Sequence, residues 1–169
     1  MTCYLSSPIK HLILLLLLSV TSLHADNRKI GVYDSRSIAI AFAGSALFEK
    51  WMAPLMTEMK KAQAAGNKDK IAQLTAQGQA RQNKLHTQAF NGTPVTDILE
   101  LIEDKLPAVK KKTGVNAFIS KWNQKKLAHF KGAQTVDVTE ALIDVFEPSR
   151  KQRKSALDIQ KKKPIPLKK

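Results

Sequence analysis

The chain has 169 residues, of which 43% are hydrophobic and 25% charged, and its formal net charge is +14. This length suits a single domain, and one cysteine excludes a disulfide framework within the chain. The basic charge favours anionic partners such as lipid headgroups, polysaccharides or acidic proteins. Basic and aromatic residues do not interleave as they do in single-strand binders, so we do not expect nucleic acid among the partners.

The amino-terminal segment, residues 1–25, has the pattern of a secretory signal peptide. Lys10 lies shortly before an apolar run at 12–18. That run is shorter than the roughly 20 residues of a transmembrane helix, and a small residue ends the segment. We therefore expect export out of the cytosol, with cleavage after about Ala25 that also removes Cys3.

The mature chain opens with a predicted strand, Lys29-Ile30-Gly31-Val32-Tyr33-Asp34. A helical turn or two is expected over 35–46. Asp34, Ser35 and Arg36 invite a catalytic interpretation, but adjacent residues on an extended segment point to opposite sides. Because acidic and hydroxyl residues commonly close turns, we interpret this triplet as a turn at the end of the strand.

A helical period begins at Leu47, where apolar residues recur at steps of three and four, as on a helix that packs against another. Pro54 is expected to kink this helix or restart it. Trp51 and Met56 widen the apolar face. The candidate client-binding or oligomer face comprises Phe48, Trp51, Met52, Leu55, Met56 and Met59.

A second helix is predicted from Lys68 to about Phe90, after a turn at 64–67, so that residues 47–90 form an antiparallel helical hairpin. Its apolar seam is interrupted at Gly78 and Arg81. Such a helix cannot cover the wide face of the first. The remainder is either ordinary core or subunit interface, or it binds clients, for which flexible methionine side chains are suited.

The following segment predicts one helix with an apolar face over 95–109, started by Thr93 and Pro94 and interrupted by Pro107 near its end. Two more strands are predicted, at 116–122 and 134–138. The last predicted helix is 140–146, capped by Thr139. We therefore predict an α+β fold, a small sheet of strands far apart in sequence with the helical hairpin inserted between the first and second.

Residues 148–169 form a basic tail that we expect to be disordered, because it holds few apolar residues. Two interpretations stay open: a solvated, solubilising tail, or a segment that binds an anionic surface. The basic side chains are Arg150, Lys151, Arg153, Lys154, Lys161, Lys162, Lys163, Lys168 and Lys169.

Residues for catalysis or metal binding are not apparent. After removal of the leader the histidines are His86 and His129, and neither has a second histidine or a cysteine at metal-ligand spacing. We expect no catalytic residues, no metal and no cofactor, and hence a protein that is not an enzyme.

Three segments resemble the Skp/OmpH family of periplasmic chaperones. They are Lys29-Ile30-Gly31-Val32-Tyr33-Asp34, Gly114-Val115-Asn116-Ala117-Phe118-Ile119-Ser120-Lys121 and Val136-Asp137-Val138-Thr139-Glu140-Ala141-Leu142-Ile143. The resemblance covers about residues 28–147, the domain itself being taken as 26–147. It implies a homotrimer whose helical arms, here shortened, enclose unfolded outer-membrane proteins.

The sequence thus predicts an exported chaperone or holdase that binds unfolded or outer-membrane proteins without turnover. The alternative is an envelope-associated structural or adaptor protein that assembles through the hairpin and binds an anionic membrane surface through its basic tail. Both expectations make the protein a homo-oligomer. They differ in whether the apolar helical face meets clients or only other subunits.

Overall fold

The computed structural model describes residues 29–167, so the predicted signal peptide, Lys168 and Lys169 lie outside the described residues. Three strands form a parallel sheet in the order β2-β1-β3. They are β1 (Lys29–Tyr33), β2 (Ala117–Ser120) and β3 (Gln134–Asp137). The predicted α+β class, with a small sheet built from strands far apart in sequence, is confirmed.

The register of the sheet decides which side chains meet. Tyr33 of β1 lies opposite Ser120 of β2, and Val32 lies opposite Asp137 of β3. Because all three strands run in the same direction, their carboxyl ends lie at one edge of the sheet. Asp34 and Lys121, which directly follow β1 and β2, are therefore neighbours there.

Within residues 29–167 the chain forms eight α-helices. They are α1 (Ser35–Ala43), α2 (Ala46–Ala64), α3 (Lys68–Asn91), α4 (Thr96–Glu100), α5 (Leu106–Thr113), α6 (Gln124–Ala128), α7 (Thr139–Asp144) and α8 (Arg150–Asp158), followed by a 3₁₀ turn, Ile159–Lys161.

Helix α1 is the centre of the helical part of the fold. Asp34 caps it by accepting a hydrogen bond from the Arg36 amide, and Ile38 and Ala41 on it are fully buried. It contacts α3, α7 and α8. The helical turn or two expected over 35–46 forms as a helix of about two and a half turns, in which burial of nearly every residue offsets the weak helix formers of this stretch.

Helices α2 and α3 follow one another across a three-residue turn and contact each other. Pro54 lies inside α2 without dividing it, so the predicted restart does not occur. Leu55, Ala62 and Leu74 form a small apolar core between the two helices, separate from the main core of the molecule.

The single helix predicted over 95–109 was wrong. The structure has α4 and α5 with turns between them, and α4 has Val95 rather than Thr93 at its N-cap. Pro107 lies in the first turn of α5, where a missing amide hydrogen costs nothing, and so begins a helix instead of interrupting one.

The prediction that residues 148–169 are disordered was also wrong over most of that range. Ser149 and Gln152 form a capping box at the start of α8. Ala156 and Ile159 are buried, and the Arg36 guanidinium donates a hydrogen bond from Nη1 to the Lys162 carbonyl at 2.9 Å. Docking against α1 thus orders a segment that is too polar to order itself.

In the part of the chain that the structure describes, no single helix is long and apolar enough to cross a membrane. The pair α1 and α2, bent by 64°, meets that test together, by length and composition only.

Candidate functional site

The apolar face predicted on the first long helix lines a groove between α2 and α3, which we call the arm groove. It has a volume of about 440 Å³. Its lining residues are Phe48, Trp51, Met52, Gly78, Arg81, Gln82 and Leu85. Apart from Arg81 and Gln82 the lining is apolar or glycine, so the groove suits an apolar occupant.

Gly78 lines the groove and has no side chain to fill it. A Cβ atom at this position would lie 3.7 Å from Leu55 Cδ2, which is ordinary contact with the floor between the helices. A larger residue would fill the gap that glycine leaves. The interruption of the apolar seam that the sequence displays is therefore a physical cavity in the structure.

Arg81 lies over the groove. Its guanidinium carbon is 4.5 Å from the centre of the Trp51 ring, and its Nη1 donates to the Trp51 carbonyl at 3.3 Å and to Met52 Sδ at 3.8 Å. A sulfur and a long carbonyl contact are weak acceptors. Arg81 also has no ion-pair partner among residues 29–167, so the Trp51 ring and these two weak acceptors hold it in place.

The six predicted face residues are not equally placed. Leu55 is buried, Phe48, Trp51, Met52 and Met59 are half-buried, and Met56 is 51% exposed. The structure brings Phe48, Trp51 and Met52 together at the groove. It places Met59 against the small core around Leu55 and leaves Met56 on the surface.

Phe48 and Trp51 also hold α2 against α1. The Phe42 ring, buried in α1, lies 5.5 Å from Phe48 and 5.7 Å from Trp51 in edge-to-face arrangements. Edge-to-face pairs stabilise beyond their buried area. The base of the groove is therefore fixed, while the part toward Met56 is less covered.

A shallower apolar depression continues on the other side of Leu85, with a volume of about 270 Å³. Ile40, Ala43, His86, Ala89 and Phe90 line it, together with the Gln82 and Leu85 side chains that it shares with the arm groove. The His86 ring packs on Phe90 at 4.7 Å.

The predicted anionic-surface residues of the carboxyl-terminal segment fall into two sets. Arg153, Lys154 and Lys161 are engaged in ion pairs: Arg153 with Glu140 and Asp144, and the two lysines with Asp158. The second set consists of Arg150, Lys151, Lys162 and Lys163, which are exposed and have no acidic partner among residues 29–167.

A second arrangement, which we call the Asp34 cluster, was not predicted from the sequence. It consists of Asp34, Arg36, Lys121 and Trp122. Asp34 and Arg36 are completely buried. Asp34 Oδ1 accepts hydrogen bonds from Arg36 N and Nε and from Trp122 Nε1, and Asp34 Oδ2 accepts from Arg36 Nη2 and Lys121 Nζ, both at 2.8 Å.

Electrostatics keep Asp34 ionised. Burial by itself would raise the pKa of this carboxyl, but the hydrogen bonds from Arg36, Lys121 and Trp122 outweigh burial and lower its pKa to about 2. With both oxygens occupied by donors, the carboxylate has no free position from which to abstract a proton. The cluster is therefore built to hold strand ends together.

The signal for this cluster was partly present in the sequence. Asp34 and Arg36 were interpreted as a turn, whereas the helix starting at Ser35 folds Arg36 back onto the Asp34 side chain. Lys121 and Trp122 lie 87 and 88 residues further along the chain. Only the pairing of β1 with β2 brings them to the same edge.

No group of three or more His, Cys, Asp or Glu side chains that could hold a metal ion occurs in the described part of the chain. His86 lies on α3 and His129 follows α6, so the two remain on separate elements.

Comparison with known proteins adds no relative. No protein-family model, curated protein or solved structure matches this chain.

Proposed function

We propose that this chain is an exported, non-catalytic binding protein of the chaperone type, which holds apolar segments of unfolded outer-membrane proteins in the arm groove. One observation carries the proposal: the groove is an open apolar cavity of about 440 Å³ on a helix pair that the chain itself does not close. The leader pattern and the resemblance to Skp/OmpH chaperones support the same proposal.

The groove has the properties that a tolerant binding site needs. Met52 can repack around unlike side chains, because its thioether is flexible and polarisable. The weakly held Arg81 can move away from Trp51 or remain above an occupant. Strands of outer-membrane barrels alternate apolar and polar residues, so single apolar side chains would enter the groove.

The same proposal includes assembly of several copies. In it, α2 and α3 form the antiparallel arm, and their partly covered apolar residues, Met56 above all, meet the arms of neighbouring copies. A trimer follows from the resemblance. The basic charge of the chain draws acidic clients toward the arms by long-range attraction.

The proposal is tested by a substitution that fills the arm groove. An unfolded outer-membrane protein is diluted from urea, and its aggregation is followed by light scattering in the presence of residues 26–169. Gly78→Leu places a side chain in the groove, and Gln79→Leu is the control on the exposed neighbouring position. We expect Gly78→Leu to need about tenfold more protein for the same protection, since ~1.5 kcal/mol of lost apolar burial corresponds to that factor.

Equal protection by Gly78→Leu and Gln79→Leu, with both variants folded by circular dichroism, would sink the holdase proposal. The alternative, an envelope-associated adaptor, is favoured by the unpaired cations Arg150, Lys151, Lys162 and Lys163. It requires salt-sensitive sedimentation with phosphatidylglycerol vesicles. Salt-sensitive sedimentation with these vesicles, together with equal protection by the two variants, would favour the adaptor instead.

A further inference from the structure

A cavity of about 510 Å³ lies beside the carboxyl end of β2, and we call it the strand-edge cavity. Its size is within the roughly 300–1,000 Å³ of small-molecule sites. The residues that give it chemical character are Tyr33, Thr96, Phe118, Trp122, Lys125 and Lys126. Crevices at the carboxyl ends of parallel strands are where open α/β sheets place their ligands.

The charge of this lining has one sign. Lys125 and Lys126 on α6 are exposed at the cavity, and neither has an ion-pair partner among residues 29–167. None of the residues that line the cavity is acidic. Lys121 and Arg36 lie against Trp122, but Asp34 already balances part of their charge.

The aromatic part of the lining is held rigidly. Trp122 donates Nε1 to Asp34 at 2.9 Å, and the Arg36 guanidinium and the Lys121 ammonium lie 4.7 Å and 4.8 Å from the centre of its ring. Gly92 lies against the same ring: a Cβ atom there would be 2.8 Å from Trp122 Cδ1. These contacts hold the ring in place at the wall of the cavity.

Tyr33 adds a hydrogen-bond donor. Burial raises the pKa of Tyr33 to about 12, so its hydroxyl stays protonated, and it has no hydrogen-bond partner in the described part of the chain. Thr96 and Asn123 supply further polar groups at the cavity. A neutral donor beside two lysines suits an anionic group, and the fixed aromatic surface suits a flat ring.

We propose that the strand-edge cavity binds a small anionic molecule that carries a flat ring, with Lys125, Lys126 and Tyr33 facing the anionic group and Phe118 and Trp122 facing the ring. This site is separate from the arm groove. Binding there does not depend on whether the arm holds clients.

The test uses 1-naphthoate as the probe and the two tryptophan indole N–H signals as reporters in nitrogen–proton correlation spectra. A Trp51→Phe variant identifies the Trp122 signal. We expect 1-naphthoate to shift the Trp122 signal in a saturable way and to leave the Trp51 signal in place. The uncharged analogue 1-naphthalenemethanol should bind more weakly.

The paired variant Lys125→Gln/Lys126→Gln should raise the Kd for 1-naphthoate about fivefold at low salt, the effect of two exposed charges of roughly 0.5 kcal/mol each. The matched control is Lys111→Gln/Lys112→Gln, an exposed pair on α5, which leads toward the opposite edge of the sheet. Equal weakening in both pairs, or a shift of the Trp51 signal alone, would overturn the proposal.

Discussion

The two tryptophans of the chain both lie under an arginine, yet in opposite settings. In the body, the Arg36 guanidinium lies 4.7 Å from the Trp122 ring, is completely buried and is paired with Asp34. Between α2 and α3, the Arg81 guanidinium lies 4.5 Å from the Trp51 ring and is half-buried. Its hydrogen-bond acceptors are the Trp51 carbonyl and Met52 Sδ.

The same stacking contact thus serves two purposes. A buried guanidinium must keep its carboxylate, since removal of one partner leaves an uncompensated charge, so the Trp122 side is rigid. A half-exposed guanidinium whose acceptors are weak can replace those contacts by hydrogen bonds to water. The Trp51 side is therefore the part of the molecule that can accommodate different occupants.

The largest effect is expected from substituting each arginine by methionine, which keeps an unbranched apolar stem and removes the guanidinium. Arg36→Met leaves Asp34 buried without its main partner and should lower the free energy of unfolding by about 3–5 kcal/mol. Arg81→Met should lower it by less than about 1 kcal/mol, because that side chain remains half-exposed. Urea unfolding followed by circular dichroism measures both, and similar losses would remove the distinction between the two sites.

A smaller effect is expected from acid. The pKa of Asp34 is lowered from 3.8 to about 2, so its ionised form stabilises the fold fully above the unfolded-state pKa, and this stabilisation is lost as pH falls toward 2. The free energy of unfolding should drop by about 2 kcal/mol between pH 5 and pH 2 from this group.

A measurement at high salt distinguishes the acid-induced loss from Asp34 from the contribution of exposed ion pairs such as those of Asp158, because salt screens exposed pairs. In 0.5 M NaCl the acid loss attributed to Asp34 should persist in the natural sequence and be much reduced in Arg36→Met. An identical acid dependence of the two proteins would contradict the assignment of the shift to this cluster.

The smallest effect concerns the glycines beside the two tryptophans. Gly78→Ala adds a methyl group at ordinary contact distance from Leu55 in a helix, and should raise the free energy of unfolding by about 0.5–1 kcal/mol. Gly92→Ala is the matched opposite, since Gly92 has φ 75° and a Cβ atom there would collide with Trp122. The midpoint temperature of thermal unfolding should rise for Gly78→Ala and fall for Gly92→Ala.

The sequence indicated the strands and the two long helices because their signals are local. Period-two alternation identified Lys29–Tyr33, and apolar steps of three and four identified Ala46–Ala64. The carboxyl-terminal segment was mispredicted because its order depends on docking. A local signal was nevertheless available, since Ser149 and Gln152 have the spacing of a capping box.

The sites were predictable to different degrees for the same reason. The arm groove could be anticipated from one helix and the gap at Gly78 in its neighbour. The Asp34 cluster requires the register that sets Tyr33 opposite Ser120, which no local pattern fixes. The sequence can therefore predict the contact between Asp34 and Arg36, whereas the contribution of Lys121 and Trp122 can be predicted only from the tertiary structure.

The position of the central strand has a consequence for folding during synthesis. β1 is made first among the described elements, but its sheet partners begin at Ala117 and Gln134, and the carbonyl that Arg36 reaches belongs to Lys162. Contacts between such distant parts of a chain form late and slowly. The chain must therefore be synthesised at least as far as Asp137 before the central strand has both neighbours, and until then the nascent chain stays exposed to proteolysis.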